Sequence, residues 1–228
     1  MTVRRLYSPS TLCFLLVSAS FAFGQDEVAR LKTSITDFHT ARSASASDSF
    51  FSASLIELGS SAAFLIASIT PNGSWPDLSY ESPPTGTWGV GEHYRRIEAL
   101  AKAYKTPGHP LFGQESTRLA AQKALQFGAG YYHTGISPVS IALGAHGNWW
   151  WWFIGVPSSL GPALLLLEND LDSLTFLSSR NALGAFTAPA GIFPPAFATG
   201  QNLVDQTLAH LYHAVLVSDS NRIDHIRT

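Results

Sequence analysis

Four consecutive tryptophans, Trp149 to Trp152, constrain the fold of this chain more than any other feature. Successive side chains point about 100° apart on a helix and alternate between two faces on a strand. A single core therefore cannot bury all four rings, and we expect part of the indole surface to face a groove. Because tryptophan offers a flat apolar face and one N–H donor, such a surface suits the faces of sugar rings. The alternative is a core anchor with one or two exposed rings.

The first 24 residues have the pattern of a secretory signal peptide. Arg4 and Arg5 precede an apolar stretch at about 12–23, and small residues allow cleavage before Gln25. We therefore expect residues 1–24 to be removed and the mature protein to be secreted. An uncleaved anchor is the alternative, although the stretch is short and serine-interrupted for a membrane span.

Composition and charge narrow the possible chemistry and partners. The only cysteine, Cys13, lies within the signal, so we expect neither disulfides nor thiolate chemistry in the mature chain. The 14 Lys and Arg residues fall short of the 16 acidic ones, and loss of the signal brings the formal charge to about −4, which argues against nucleic acid. An acidic polymer remains compatible, because a cleft can be locally basic. Asn72-Gly73-Ser74 is a candidate N-glycosylation sequon that fits secretion.

Hydrophobic periodicity predicts an all-α chain. Helices are expected in two pieces over about 26–69 with a break at 43–49, and over 93–104, 114–131, 159–168, 172–183 and 203–217. Two loops rich in Pro and Gly, at 71–90 and 185–200, lie between them. The 159–168 helix is apolar all round, which predicts burial, with Pro162 in its first turn. This alternation of tight turns and long loops indicates antiparallel helix pairs arranged around an axis.

Three stretches in the same order carry a family resemblance. They are Asn148-Trp149-Trp150 with the following Ile154–Pro157 turn and leucine-rich helix, the earlier His93-Tyr94-Arg95-Arg96, and the later Thr199–Asp205. Together they resemble the motifs of polysaccharide lyase family 8, the hyaluronate, chondroitin AC and xanthan lyases. The resemblance spans roughly Trp75 to Asp219.

The resemblance implies an incomplete α/α toroid, with residues 25–228 forming the N-terminal part of a lyase catalytic domain whose cleft binds an acidic polysaccharide. By position, Asn148, Trp149 and Trp150 would bind substrate, and Asn202 would be the catalytic asparagine. The family reaction is β-elimination at a uronic acid. Amide N–H donors would hold the substrate carboxylate and favour the charge that develops as the C5 proton leaves. The resemblance implies no metal and no cofactor.

The chain also departs from the family pattern. The resemblance assigns the base and acid to a tyrosine and a histidine well after the asparagine, whereas Thr228 is only 26 residues past Asn202. His225 is too close to Asn202 and lacks the surrounding motif, so we do not assign it. We expect a truncated lyase with little activity alone. Phe153 stands where the family often has an acidic or amide residue, and it either changes the local polarity or improves packing.

Several polar residues have two interpretations. Arg95 and Arg96 could meet a polyanion or form a solvated helix face. Asn202 could be a helix cap instead of a catalytic group. His210 and His213, three apart on a helix, could chelate a metal, but the sequence offers no third ligand at a suitable spacing.

Residues near the tryptophans also have two interpretations each. His133 and His146 line a cleft or are ordinary loop histidines, and Tyr131 and Tyr132 are a base or core residues.

Three functions follow from these alternatives. The first is a secreted lyase acting on acidic polysaccharides, the second a non-catalytic glycan-binding module with the same cleft, and the third a helical interaction protein.

Overall fold

The structure of the chain is a computed structural model that describes residues 25–42, 49–132, 140–141, 146–187 and 199–227. The predicted signal with Cys13, the predicted break at 43–48, His133, and residues 188–198 of the second predicted loop lie outside the described residues.

Helices build the described part of the chain, which contains no strand. They are α1 Gln25–His39, α2 Ser49–Ser68, α3 Gly89–Lys105, α4 Glu115–Tyr132, α5 Pro157–Leu167, α6 Ser173–Thr187, α7 Gln201–Leu216 and α8 Ser220–Arg227, with a π-helical turn at Trp151–Gly155 before α5. The all-α prediction is confirmed. The periodicity does not indicate α8, because that helix is short and mostly polar. None of the described helices is long and apolar enough to span a membrane.

Helix α5 lies at the centre and packs against α1, α3, α6 and α7. Ten of its 11 residues are buried, as the apolar pattern predicts. The predicted position of Pro162 in the first turn is wrong, because the helix already begins at Pro157. Pro162 therefore lies in the second turn, where its ring removes one helical hydrogen bond.

Two contacts show that α3 and α5 run in the same direction. Gly91 lies against the Trp151 ring, and the Ser159 side chain lies beside the Glu98 carboxylate. Each pair advances towards the C-terminus together, which requires parallel helices. Helices α4 and α6 follow α3 and α5 after short connections and pack back against them as outer partners. This is the predicted arrangement of antiparallel pairs in an incomplete toroid.

His93 joins the first of these pairs from a fully buried position. Its Nδ1 lies 3.1 Å from the Tyr80 hydroxyl and its Nε2 2.9 Å from the Ala124 carbonyl. Burial lowers the pKa of His93 to about 4, so the ring is neutral near pH 7. His93, in the His93-Tyr94-Arg95-Arg96 motif, therefore connects α3 to α4 and to the loop that precedes α3.

Candidate functional site

The tryptophan run divides into two pairs. Trp151 and Trp152 are 4% and 3% exposed, whereas Trp149 and Trp150 are only partly buried. The prediction that one core cannot take all four rings is confirmed. We call the partly exposed pair, Trp149 and Trp150, the tryptophan wall.

The buried pair is fixed by hydrogen bonds to loop carbonyls. Trp151 Nε1 donates to the Thr85 carbonyl at 3.1 Å, and Trp152 Nε1 donates to the His146 carbonyl at 3.2 Å. The Trp152 ring also stacks on Tyr132, with centroids 5.9 Å apart and an interplanar angle of 17°. These bonds satisfy the indole donors inside the core and hold the adjacent wall in place.

The π-helical turn lets the indoles pack closely on the backbone of Gly155. A Cβ on Gly155 would lie 2.5 Å from ring atoms of both Trp150 and Trp151. Any side chain there would displace the wall. Such π turns are uncommon and often occur at functional sites.

Asn148 closes the start of this helix. Its Oδ1 accepts a hydrogen bond from the Trp150 N–H at 3.1 Å, and its Nδ2 donates to the Thr85 carbonyl at 3.1 Å. Both ends of the amide are therefore used within the protein, in the manner of a helix N-cap. The pattern Gly147-Asn148 before a helical run is the sequence signal for this cap. The predicted contact of Asn148 with substrate stays a prediction.

Asn202 differs from Asn148 in its hydrogen bonds. It lies in the first turn of α7, partly exposed, and its side chain makes no hydrogen bond to any described residue. Gly200, with φ +56°, occupies the N-cap position without a side-chain cap. The capping interpretation of Asn202 is therefore wrong, and its amide is available to a ligand.

Helix packing places Asn202 at about the same level along the helix axes as the tryptophan wall. Gly161 of α5 lies against Tyr212 of α7, and the π-helical turn also contacts α7, so these helices run in the same direction. Trp150 precedes Gly161 by about as many residues as Asn202 precedes Tyr212. The N-termini of α3, α5 and α7 therefore lie at one end of the molecule.

Two of these N-termini favour negative charge. Helix α3 begins after Trp88 and helix α7 after Gly200, and neither receives a side-chain cap. Their first N–H groups lack helical partners, and the helix dipole places partial positive charge there. A carboxylate is the kind of ligand that such an end binds.

The histidines of α7 do not form a metal site with other described residues. No group of three or more His, Cys, Asp or Glu side chains that could hold an ion occurs in the described ranges. His213 Nδ1 instead accepts from the Arg222 guanidinium at 3.3 Å, because arginine can only donate. Burial first, and then Arg222, lower the pKa values of His210 and His213 to about 3 and 4.

Tyr132 and Phe153 are core residues, whereas Tyr131 is only partly buried. Tyr132 is fully buried and donates to the Trp152 carbonyl at 2.6 Å, while Tyr131 stacks on Phe127. Phe153 is 2% exposed and packs edge-on against Phe186, which supports the packing interpretation of this family departure.

Asn72 lies in an exposed turn, as expected for a sequon. Its Oδ1 accepts hydrogen bonds from the Ser74 N–H at 3.2 Å and the Ser74 hydroxyl at 2.9 Å. Gly73 follows with φ +94°, and a Cβ there would lie 2.1 Å from the Lys123 carbonyl oxygen. Glycosylation of Asn72 stays a prediction.

Comparison with known families agrees with this geometry. The model of the polysaccharide lyase family 8 N-terminal alpha-helical domain matches residues 36–228. The chain belongs to polysaccharide lyase family 8. Similar proteins in this family include xanthan lyase of Bacillus sp. (strain GL1), 25% identical over 67% of this chain, and chondroitinase-AC of Pedobacter heparinus, 27% identical over 66%. The chain spans only 16% and 19% of the lengths of these two relatives.

Solved structures of the family show the same fold. Paenibacillus xanthan lyase superimposes with a TM-score of 0.70 and 21% identity, over 89% of this chain and 19% of that one. Streptomyces coelicolor chondroitin AC lyase, solved with chondroitin sulphate, gives a TM-score of 0.70 and 20% identity, over 86% of this chain and 26% of that one. The described helices are therefore part of an α/α toroid.

Proposed function

We propose that this chain is part of a secreted polysaccharide lyase that acts on uronate-containing polysaccharides by β-elimination. Family membership supports the lyase class, and the names of its relatives, xanthan, chondroitin and hyaluronate lyases, support an acidic glycan. One observation carries the site. The partly exposed tryptophan wall, at a helix start capped by Asn148, and the open amide of Asn202, at the uncapped start of α7, lie at similar heights at the N-terminal ends of parallel helices.

The tryptophan wall would stack on the apolar faces of sugar rings. Asn202 would donate from its amide to the uronate carboxylate and stabilise the charge that grows there when a base removes the C5 proton. The bond from C4 to the leaving oxygen then breaks, the C4–C5 double bond forms, and the oxygen takes up a proton. The helix N-termini would favour the same negative charge.

A non-catalytic glycan-binding module is the second candidate, and the burial of two core tyrosines near Trp152 favours it. Tyr94 and Tyr132 are fully buried, and burial raises the pKa of both hydroxyls. Tyr132 also donates its proton to the Trp152 carbonyl. Neither hydroxyl is suited to act as the base, so binding is the property that the described site supports most directly.

The test measures binding and cleavage on one folded sample. The protein is incubated with hyaluronan, chondroitin, xanthan, alginate and glucuronan while ultraviolet absorbance reports unsaturated uronate, and calorimetry reports binding. Binding with new absorbance supports the lyase, and binding without it supports the module. A folded sample that neither binds nor cleaves any of these glycans would overturn both and favour a helical interaction protein.

Asn202→Ala and Asn202→Asp sharpen the test. Both should weaken binding of acidic oligosaccharides by about tenfold, and the aspartate should weaken it more because it places like charges together. Equal affinity of the wild type and both variants would remove Asn202 from the site.

A further inference from the structure

A groove of about 580 Å³ runs between α2 and α3. Its lining includes Ser60, Ser61 and Phe64 from α2 and Glu92, Arg95 and Arg96 from α3. None of these residues has a role in the site described above.

The α2 side of the groove offers an aromatic ring and hydroxyl groups. Phe64 is 63% exposed, so its ring is accessible to a ligand. Ser61 beside it makes no hydrogen bond to any described residue, so its hydroxyl can donate to a ligand. The Ser60 hydroxyl already donates to the Ile56 carbonyl at 3.0 Å, so the exposed ring and the Ser61 hydroxyl are the groups on this side that suit a sugar.

The two arginines on the α3 side differ in their partners. Arg96 donates two hydrogen bonds to the Asp77 carboxylate, at 2.8 and 2.6 Å, and its side chain is only 13% exposed. Its charge is therefore already paired. Arg95 is 45% exposed and has one long contact, 3.5 Å, with Glu92. Most of the five N–H donors of its fork remain available.

Arg95 is nevertheless held in position. Its guanidinium carbon lies 4.8 Å from the centre of the Trp151 ring, in a cation–π contact. Trp151 in turn packs edge-on against Trp150, with centroids 5.0 Å apart. Arg95 therefore lines the groove and is linked through Trp151 to Trp150 of the tryptophan wall.

We propose that this groove binds the continuation of an acidic polysaccharide chain beyond the tryptophan wall. Arg95 holds the carboxylate of a uronic acid in a two-pronged contact, and the Phe64 ring packs against the face of a neighbouring sugar. The proposal rests on the glycan-binding function above and adds a second segment to it. Glu92 competes with the ligand for Arg95 and so limits the affinity of this segment.

Chain length separates the two segments in an experiment. Hyaluronan oligosaccharides of increasing length are titrated into the folded protein by calorimetry. Arg95→Ala should weaken binding of the longest oligomers by about tenfold and leave the shortest ones unchanged. Trp150→Ala should weaken both. Arg95→Lys keeps the charge but loses the fork, and should recover only part of the loss.

Three further variants make the result specific. Phe64→Ala should act like Arg95→Ala, on long oligomers alone. Glu92→Gln should tighten long-oligomer binding by about threefold, because it removes the competing carboxylate. Arg30→Ala, which removes an exposed charge on α1, is the matched control and should change nothing.

The outcomes distinguish the two proposals. If short oligomers bind and Arg95→Ala binds long ones as the wild type does, the groove proposal is overturned and the tryptophan wall stands. If Arg30→Ala weakens binding as much as Arg95→Ala, the effect is general charge attraction and the groove proposal is also overturned. If no oligomer binds, both proposals fail.

Discussion

The two sides of the candidate site are built in opposite ways. On the α5 side, Asn148 uses both ends of its amide, and the buried indoles of Trp151 and Trp152 donate to loop carbonyls. On the α7 side, the N-cap residue Gly200 provides no side-chain cap. The Asn202 side chain, two residues later, makes no hydrogen bond to a described residue. The comparison shows that two asparagines near helix starts have different roles, one holding the backbone and the other open to a ligand.

The largest expected effect is on the α5 side. Trp152→Ala removes a ring that packs against Trp88 and Tyr132, and should lower the free energy of unfolding by about 3–5 kcal/mol. Trp149→Ala, at the partly exposed end of the run, should cost about 1 kcal/mol or less. Urea denaturation measures both. Equal losses would mean that the run does not divide into a structural and an open pair.

The second largest expected effect is a loss of folding stability at low pH, and it arises on the α7 side. The folded pKa values of His210 and His213 lie below the ordinary 6.5, so the neutral imidazoles stabilise the folded protein. This stabilisation is complete above pH 6.5, and it is lost as the pH falls towards about 3 for His210 and about 4 for His213. The loss should reach about 3 kcal/mol for His213.

His213→Gln should flatten this dependence relative to the wild type in denaturation curves recorded between pH 7 and 4. His39, His93 and His210 also titrate there and remain in both proteins, so the difference reports His213 together with its electrostatic effect on His210. An identical slope in the two proteins would contradict the neutral, buried state of this imidazole.

A smaller effect is expected at Asn148. Asn148→Ala removes the cap and the bond to the Thr85 carbonyl, and should cost about 1–2 kcal/mol of unfolding free energy. Asn148→Asp retains the acceptor for the Trp150 N–H and should recover part of that loss. If neither change alters stability, the cap does not hold the wall.

The smallest effect on stability should occur at Asn202. Asn202→Ala breaks no hydrogen bond to a described residue, so the free energy of unfolding should stay within about 0.5 kcal/mol. The same variant should lose affinity for acidic oligosaccharides, as stated above. A large loss of stability without a loss of affinity would reverse the roles of the two asparagines.

The sequence predicts most of the helices and the division of the tryptophan run, because both follow from periodicity and from how side chains are spaced along a helix. The buried leucine-rich helix is confirmed for the same reason. The π-helical turn is not predictable from periodicity, since one extra residue in a turn leaves no clear apolar pattern. It also brings Pro157 to the start of α5, which moves Pro162 out of the first turn.

The way in which the helices pack against one another also could not be predicted from the sequence. Nothing in the spacing of Trp150 and Asn202 shows that they lie at similar heights, because this depends on how α5 and α7 pack. Likewise the sequence leaves Arg95 and Arg96 equivalent. Only the fold pairs Arg96 with Asp77 and leaves Arg95 over Trp151.

The π-helical turn has a consequence for how this chain tolerates insertions and deletions. Deleting one residue between Trp151 and Gly155 would restore ordinary α-helical bonding and rotate everything before it by one position relative to α5. A different pair of rings would then face outward on an unchanged scaffold. Which rings face outward thus depends on the length of this turn, so a deletion here would change the exposed aromatic surface in addition to removing a buried side chain.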